Sequence, residues 1–197
     1  LEPGFVGFNL SKILQLQTWL ATNKTVPLDP WLELPLPLAQ PELAITEWLN
    51  TNIKKKRAPR QEHLMLIGPT KTGKTHLVNQ LRNYLRVYDC PVQGPFFAPW
   101  TDNMYDLIVM EELHAGWTVS DLLRFLDGSP TILKIHGGLC KKTQNVPVII
   151  TTNQPFSRSY KNITDASLEA LESRVLMVEI PAGRQIDVFP GISPKNC

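Results

Sequence analysis

"GPTKTGKT", residues 68–75, decides the fold. It reads Gly68, four residues, then Gly73, Lys74 and Thr75, which is the complete phosphate-loop pattern and not a fragment of it. It follows the apolar run "HLMLIG" at 63–68 and opens a helical stretch expected over about 74–86, the strand, loop and helix order that such a loop requires. Read this way, Gly68, Pro69, Thr70, Lys71, Thr72, Gly73, Lys74 and Thr75 form a cradle for a nucleoside triphosphate. Backbone N–H groups and a helix N-terminus face the anion, Lys74 reaches the β- and γ-phosphates, and the Thr75 hydroxyl ligates magnesium. Lys71 reads as solvated, not catalytic.

Downstream, short apolar runs alternate with helical stretches, the pattern of an α/β domain with a mostly parallel central sheet. Strands are expected at 63–68, weakly near "RVYDC", at 105–110, at 146–152 and at 174–180, with helices at about 74–86, 118–127 and 165–173. The run "YDLIVMEE" ends on two acids: Glu111 is expected to position the metal shell and Glu112 to orient or deprotonate an attacking water. Two solvated charges at a strand end are the plainer alternative. The run "VPVIITTN" ends on Asn153, whose amide can bond the attacking water or the γ-phosphate, although an Asn before "QP" is also an ordinary turn residue. Asp106, at the far end of its strand, suits neither role.

Composition sets limits. A chain of 197 residues holds one sizeable core and an appendage, and a net charge of +2 argues for nucleic acid only if the cations are locally concentrated. Cys90, Cys140 and Cys197 show neither a disulfide framework nor zinc spacing, which fits a reducing compartment. No apolar run reaches the roughly 18 to 20 residues of a spanning helix, and Leu1–Leu10 lacks the positively charged start of a signal peptide. Starting at Leu1 and not Met, the chain reads as a piece of something longer.

Upstream of the loop, an apolar stripe over Leu10–Leu20 predicts a helix, and Pro27, Pro30, Pro35, Pro37 and Pro41 predict an extended arm. Ala44, Ile45, Trp48 and Leu49 give a second helix its apolar face. Residues 1–60 are therefore read as a helical and proline-rich assembly or linker segment, 61–180 as the core, and 181–197 as an irregular tail. "KKKRAPR" at 54–60 has three open readings: a nuclear localisation cluster, a contact with a nucleic-acid backbone, or a solvated linker. Trp100, Trp117, Phe96 and Phe97 read as core in preference to base-stacking groups.

The order "GPTKTGKT", "LIVMEEL", "LKIHGG", "VPVIITTN" and "ALESRVLMVEI" resembles the superfamily 3 helicases, and closely the helicase domain of replication-associated proteins of circular single-stranded DNA viruses, over about residues 61–180. The resemblance implies a modified AAA+ ATPase that uses ATP and Mg²⁺, assembles into a homo-oligomeric ring, commonly a hexamer, and threads single-stranded DNA in the host nucleus. Lys74 and Thr75 match the first motif, Glu111 and Glu112 the second, and Asn153 the sensor. A Lys-Gly-Gly hairpin tip of that family is here His136, Gly137 and Gly138, so Lys134, His136, Lys141 and Lys142 are the expected DNA contacts, with an ordinary solvated hairpin as the alternative. Arg174 resembles the family's arginine finger, a structural ion pair being the alternative and Arg158 and Lys161 weaker candidates. Relatives also carry a nicking domain with a His-x-His pair and a tyrosine nucleophile; His63, His76, His114 and His136 are scattered, so no nicking is expected. Rival expectations are a superfamily 3 ATPase of an RNA virus and an ATP-gated assembly or packaging module.

Overall fold

A computed structural model describes residues 40–91, 96–98, 100–113, 116–135 and 137–189. The helix expected over Leu10–Leu20, the proline arm from Pro27 to Pro37, His114, His136 and Cys197 lie outside the described residues.

Five strands make the central sheet: β1 (His63–Ile67), β2 (Val87–Asp89), β4 (Leu107–Met110), β7 (Val148–Thr152) and β8 (Val175–Glu179), in the order β2-β4-β7-β1-β8. Every neighbouring pair is parallel. β1, β4 and β7 are buried along their whole length, which is why their sequences are continuous apolar runs without alternation. Their two faces feed two cores. Leu64, Leu66, Leu107, Val109 and Ile149 point to one side, and Met65, Ile67, Ile108, Met110, Val148 and Ile150 to the other.

The first side is covered by α1 (Glu42–Asn52), through Ile45, Trp48 and Leu49, and by α2 (Lys74–Arg82), through Leu77, Val78 and Leu81. Ile186, Val188 and Phe189 complete the same core. The boundaries expected at residues 60 and 180 therefore do not separate hydrophobic cores: α1 and the start of the tail pack with the sheet. On the second side lie α3 (Val119–Leu126), α4 (Phe156–Ser159) and α5 (Asp165–Glu172). Thr118 caps α3 by accepting from the Asp121 N–H, and Thr164 caps α5 by accepting from the Ser167 N–H.

A second, three-stranded sheet joins β3 (Phe96–Phe97) to the hairpin β5 (Thr131–Ile135) and β6 (Gly138–Lys142). Trp100, Trp117 and Phe97 are buried here, as expected of core aromatics. Phe97, Trp117 and Phe125 form a mutual ring cluster with centroids 5.3 to 5.7 Å apart.

Candidate functional site

Between β1 and α2 the chain curls into a loop that only glycine permits at two positions. Gly73 has φ 90°, and a Cβ there would sit 2.9 Å from the Ile186 carbonyl oxygen. At Gly68 a Cβ would meet the Ile180 carbonyl at 2.7 Å. The loop wraps Lys74, whose Nζ donates to the carbonyls of Gly68 (2.5 Å) and Pro69 (2.8 Å), to Thr72 Oγ1 (3.3 Å) and to Asn153 Oδ1 (3.4 Å). Burial lowers the Lys74 pKa, and the nearby Glu112 charge opposes that shift.

A cavity of about 460 Å³ opens over this loop at the carboxyl ends of β1, β4 and β7. Thr70 to Thr75, Glu112, Thr151, Thr152 and Asn153 line it. Its size suits a small ligand. The residues fit a nucleoside triphosphate: an ammonium held by carbonyls and an amide, a helix N-terminus, a hydroxyl at Thr75 and a carboxylate at Glu112 line one cavity. Gln185 also lines the cavity, and the Ile186 N–H donates to the Thr72 carbonyl at 3.0 Å, so the start of the tail crosses the loop. Sequence reading missed Gln185, because an irregular segment has no periodicity to mark where it returns.

The two acids part company. After β4 the backbone turns left-handed at Glu112, with φ 52°, and the Glu112 N–H donates to Thr151 Oγ1 at 3.2 Å. Glu112 thereby faces the cavity. Glu111 does not line it: its carboxylate accepts from Arg82 Nη2 at 2.8 Å, and Arg82 also holds Asp89 at 2.5 Å. Glu111, the expected metal position, is here paired with Arg82 at the far end of α2 and stands outside the cavity lining. Thr75, expected at the metal, and Glu112, expected as the base, both line the cavity.

Arg174 is also placed differently. Its guanidinium donates to the Ala170 carbonyl at 2.5 Å and to Asp127 at 3.1 Å, with the side chain only 13% exposed. That is the geometry of the structural ion pair, made just after α5 within the same chain. Arg158, on α4, is exposed and has no side-chain partner among the described residues.

On the hairpin, Lys134 and Lys141 are exposed, whereas Lys142 is buried. Lys142 Nζ donates to the Gln144 carbonyl at 2.6 Å and lies 5.8 Å from the Trp100 ring centroid and 5.5 Å from that of Phe125. Burial pulls its pKa down to about 8. Lys142, expected as a DNA contact, is packed in this structure: the strand's alternation turns it inward beside Cys140. The outward face of the hairpin carries Ile132, Lys134, Leu139 and Lys141, with Ile132 opposite Lys141 and Lys134 opposite Leu139.

Strand order and loop together define a phosphate-loop α/β domain of the nucleotide-binding class. Residues 40–184 match the sequence model of the parvovirus non-structural protein NS1, and the chain belongs to that family. The resemblance holds at the level of a helicase domain from a small DNA virus; the match does not single out the replication proteins of circular single-stranded DNA viruses. No curated protein matches. Among solved structures, two of JCV helicase are 17% and 19% identical with TM-scores of 0.45 and 0.44, covering 74% and 73% of this chain. NtrX from Brucella abortus in complex with ADP is 16% identical, with a TM-score of 0.42 over 88% of this chain. The chain spans 41% to 42% of the length of these structures.

Proposed function

We propose that this chain is the ATP-driven motor domain of a viral replication helicase, which translocates on single-stranded DNA and assembles into a ring. One observation carries the reading. Lys74 Nζ lies 3.4 Å from Asn153 Oδ1 with Glu112 lining the same cavity, so the phosphate loop, an acid and a sensor amide converge from three separate strands.

Lys74 gives up loop carbonyls for the β- and γ-phosphate oxygens and offsets their charge. Glu112 orients and deprotonates the attacking water, and Asn153 bonds that water or the γ-phosphate. Thr75 would hold Mg²⁺ directly and Glu112 through one of the ion's waters, which leaves its carboxylate free to act as the base, and the ion would supply charge neutralisation on the phosphate oxygens. Exposed Lys134 and Lys141, interleaved with Ile132 and Leu139, offer cations to a strand's phosphates and apolar surface to its bases. Arg158 takes over the trans role expected of Arg174, stabilising the γ-phosphoryl charge in a neighbouring subunit of a homo-oligomer, with the hexamer as the expected ring.

Lys74→Ala is expected to abolish nucleotide binding. Glu112→Gln is expected to retain binding and lose turnover by a factor on the order of 10²–10⁴, the usual contribution of a general base. Equilibrium nucleotide binding and steady-state hydrolysis separate the two. Parental hydrolysis by Glu112→Gln removes the acid from the mechanism.

A further inference from the structure

At the opposite end of the sheet from the nucleotide cavity lies a second cavity, of about 360 Å³, at the amino ends of β2, β4 and β7. Its walls hold Lys54, Lys55, Lys56, Arg57 and Arg86, against Asp106 as the one carboxylate among the lining residues. The whole chain carries 20 Lys and Arg for a net charge of only +2, so this one cleft gathers a quarter of its cations.

The cations are not all loosely solvated. Arg86 is clamped by Asp106, with Nη2 to Oδ1 at 2.6 Å and Nε to Oδ2 at 2.9 Å. Burial pushes the Asp106 carboxyl up, but the Arg86 hydrogen bonds and charge outweigh it and hold it below its ordinary value. Arg57 is 8% exposed. Its Nη2 donates to the carbonyls of Gln61 (2.7 Å) and Glu62 (3.1 Å) and approaches His63 Nδ1 (3.2 Å). Its Nε and Nη1 are buried with no hydrogen-bond partner. A buried guanidinium with two nitrogens lacking a partner, beside three exposed lysines in a concave site, concentrates positive charge that favours an anion.

Neutral amides complete the wall: Asn103, Gln144 and Asn145. Gln144 bonds both the Asn103 side chain and its N–H, which ties the 143–147 segment to the cleft. That segment leads directly out of β6, whose exposed Lys141 lies three residues before Gln144. Cations with amide donors, continuous along the chain with the basic face of the hairpin, suit a phosphodiester backbone better than an isolated anion.

We infer that this cleft is a second nucleic-acid site, in which Lys54, Lys55, Lys56 and Arg57 take the phosphodiester backbone of a single strand leaving or entering the hairpin. The inference rests on the nucleic-acid half of the proposed function and assigns "KKKRAPR" a binding role distinct from a localisation signal or an inert linker.

The test uses the whole chain without nucleotide, a fluorescent oligothymidylate and a salt series. Replacing Lys54, Lys55 and Lys56 together by Ala is expected to weaken binding about tenfold or more at low salt and to reduce the salt slope by about 2, since each phosphate contact on a single strand contributes about 0.7. Replacing all three by Arg should keep both, which excludes a folding artefact, and basal hydrolysis should not change in either variant. If the Ala variant binds with parental affinity and slope while Lys134→Ala with Lys141→Ala loses binding, the inference falls and the proposed function stands. If the parent binds no oligonucleotide, both fall. Displacement of the strand by pyrophosphate or polyglutamate at equal or lower concentration of charge than by unlabelled strand also overturns it, in favour of a free polyphosphate or an acidic polypeptide.

Discussion

Arg174→Ala separates a structural role from a catalytic one. The guanidinium makes two charge-assisted hydrogen bonds, to Asp127 at 3.1 Å and to the Ala170 carbonyl at 2.5 Å, in a setting where its side chain is 13% exposed. Bonds to charged groups contribute about 1.5–3 kcal/mol each when their loss orphans a partner. Neither partner is orphaned here: Asp127 keeps Arg60 at 3.1 Å and Ser129 at 3.0 Å, and the Ala170 carbonyl keeps the Ser173 hydroxyl at 3.0 Å. The two bonds therefore sum to less than their maxima, and truncation should cost about 2 kcal/mol. For a chain of this size that lowers Tm by roughly 4 to 8 °C. Urea unfolding should show a lower midpoint with an unchanged slope. Arg158→Ala should leave the midpoint unchanged and instead remove hydrolysis in the assembled protein, with activity returning when its subunits are mixed with Glu112→Gln subunits. A parental unfolding midpoint for Arg174→Ala, together with lost hydrolysis restored by mixing, refutes the structural assignment and reinstates Arg174 as the trans group.

His63 should make stability depend on pH. Its Nε2–H donates to the Leu126 carbonyl at 3.0 Å, its Nδ1 accepts from the Val148 N–H at 3.1 Å, and burial, then the Arg57 charge, lower its pKa from 6.5 to about 3. Because the unfolded chain binds this proton more readily, stability is full above pH 6.5 and falls below it, by about 2 kcal/mol at pH 5. Urea midpoints at pH 7.5 and 5 check this, and equal midpoints refute it. Lys142→Met should leave the salt slope of oligothymidylate binding unchanged, while Lys134→Ala with Lys141→Ala should lower it by about 1.4; a fall in slope with Lys142→Met would return that lysine to the contact surface.

How far the chain could be read depended on whether local pattern or long-range geometry decides each feature. β1 and β7 were legible because strands buried on both faces must be continuously apolar, and α3 and α5 fall where helical stretches were expected at about 118–127 and 165–173. The two-residue β3 offers no period to detect. Among the site residues, Lys74 and Asn153 lie 3.4 Å apart, a contact across 79 residues of sequence that no local pattern announces. That only Glu112 of the two acids lines the cavity depends on the left-handed turn at the second acid and on Arg82 pairing with the first, neither of which the local sequence signals. On β6 the alternation was present in the sequence but misleading: Leu139 faces out and Lys142 in, the reverse of what hydropathy favours. Trp100 and Phe125 make that inversion tolerable by giving the ammonium two ring faces.

The two proposed sites sit at the two ends of β7, and that placement constrains how they can communicate. At the amino end, the Val148 N–H bonds His63 Nδ1, the same nitrogen that Arg57 of the basic cleft approaches. At the carboxyl end, Thr151 holds the Glu112 backbone and Asn153 meets Lys74. Between them the strand is wholly buried and laddered to β1 on one edge and β4 on the other. A slip of one residue would turn every side chain to the wrong face and break both cores, so the strand cannot slide to carry a signal. It works as a spacer of roughly 15 Å between phosphate chemistry and strand binding. The parts free to change are the loops at its ends and the left-handed turn at Glu112, a conformation that costs on the order of 1–3 kcal/mol outside glycine and that a ligand can relieve or exploit. On the proposed function, movement of DNA per ATP then arises from each domain turning as a body against its neighbours, with Arg158 at the junction, and not from deformation of the sheet within one subunit.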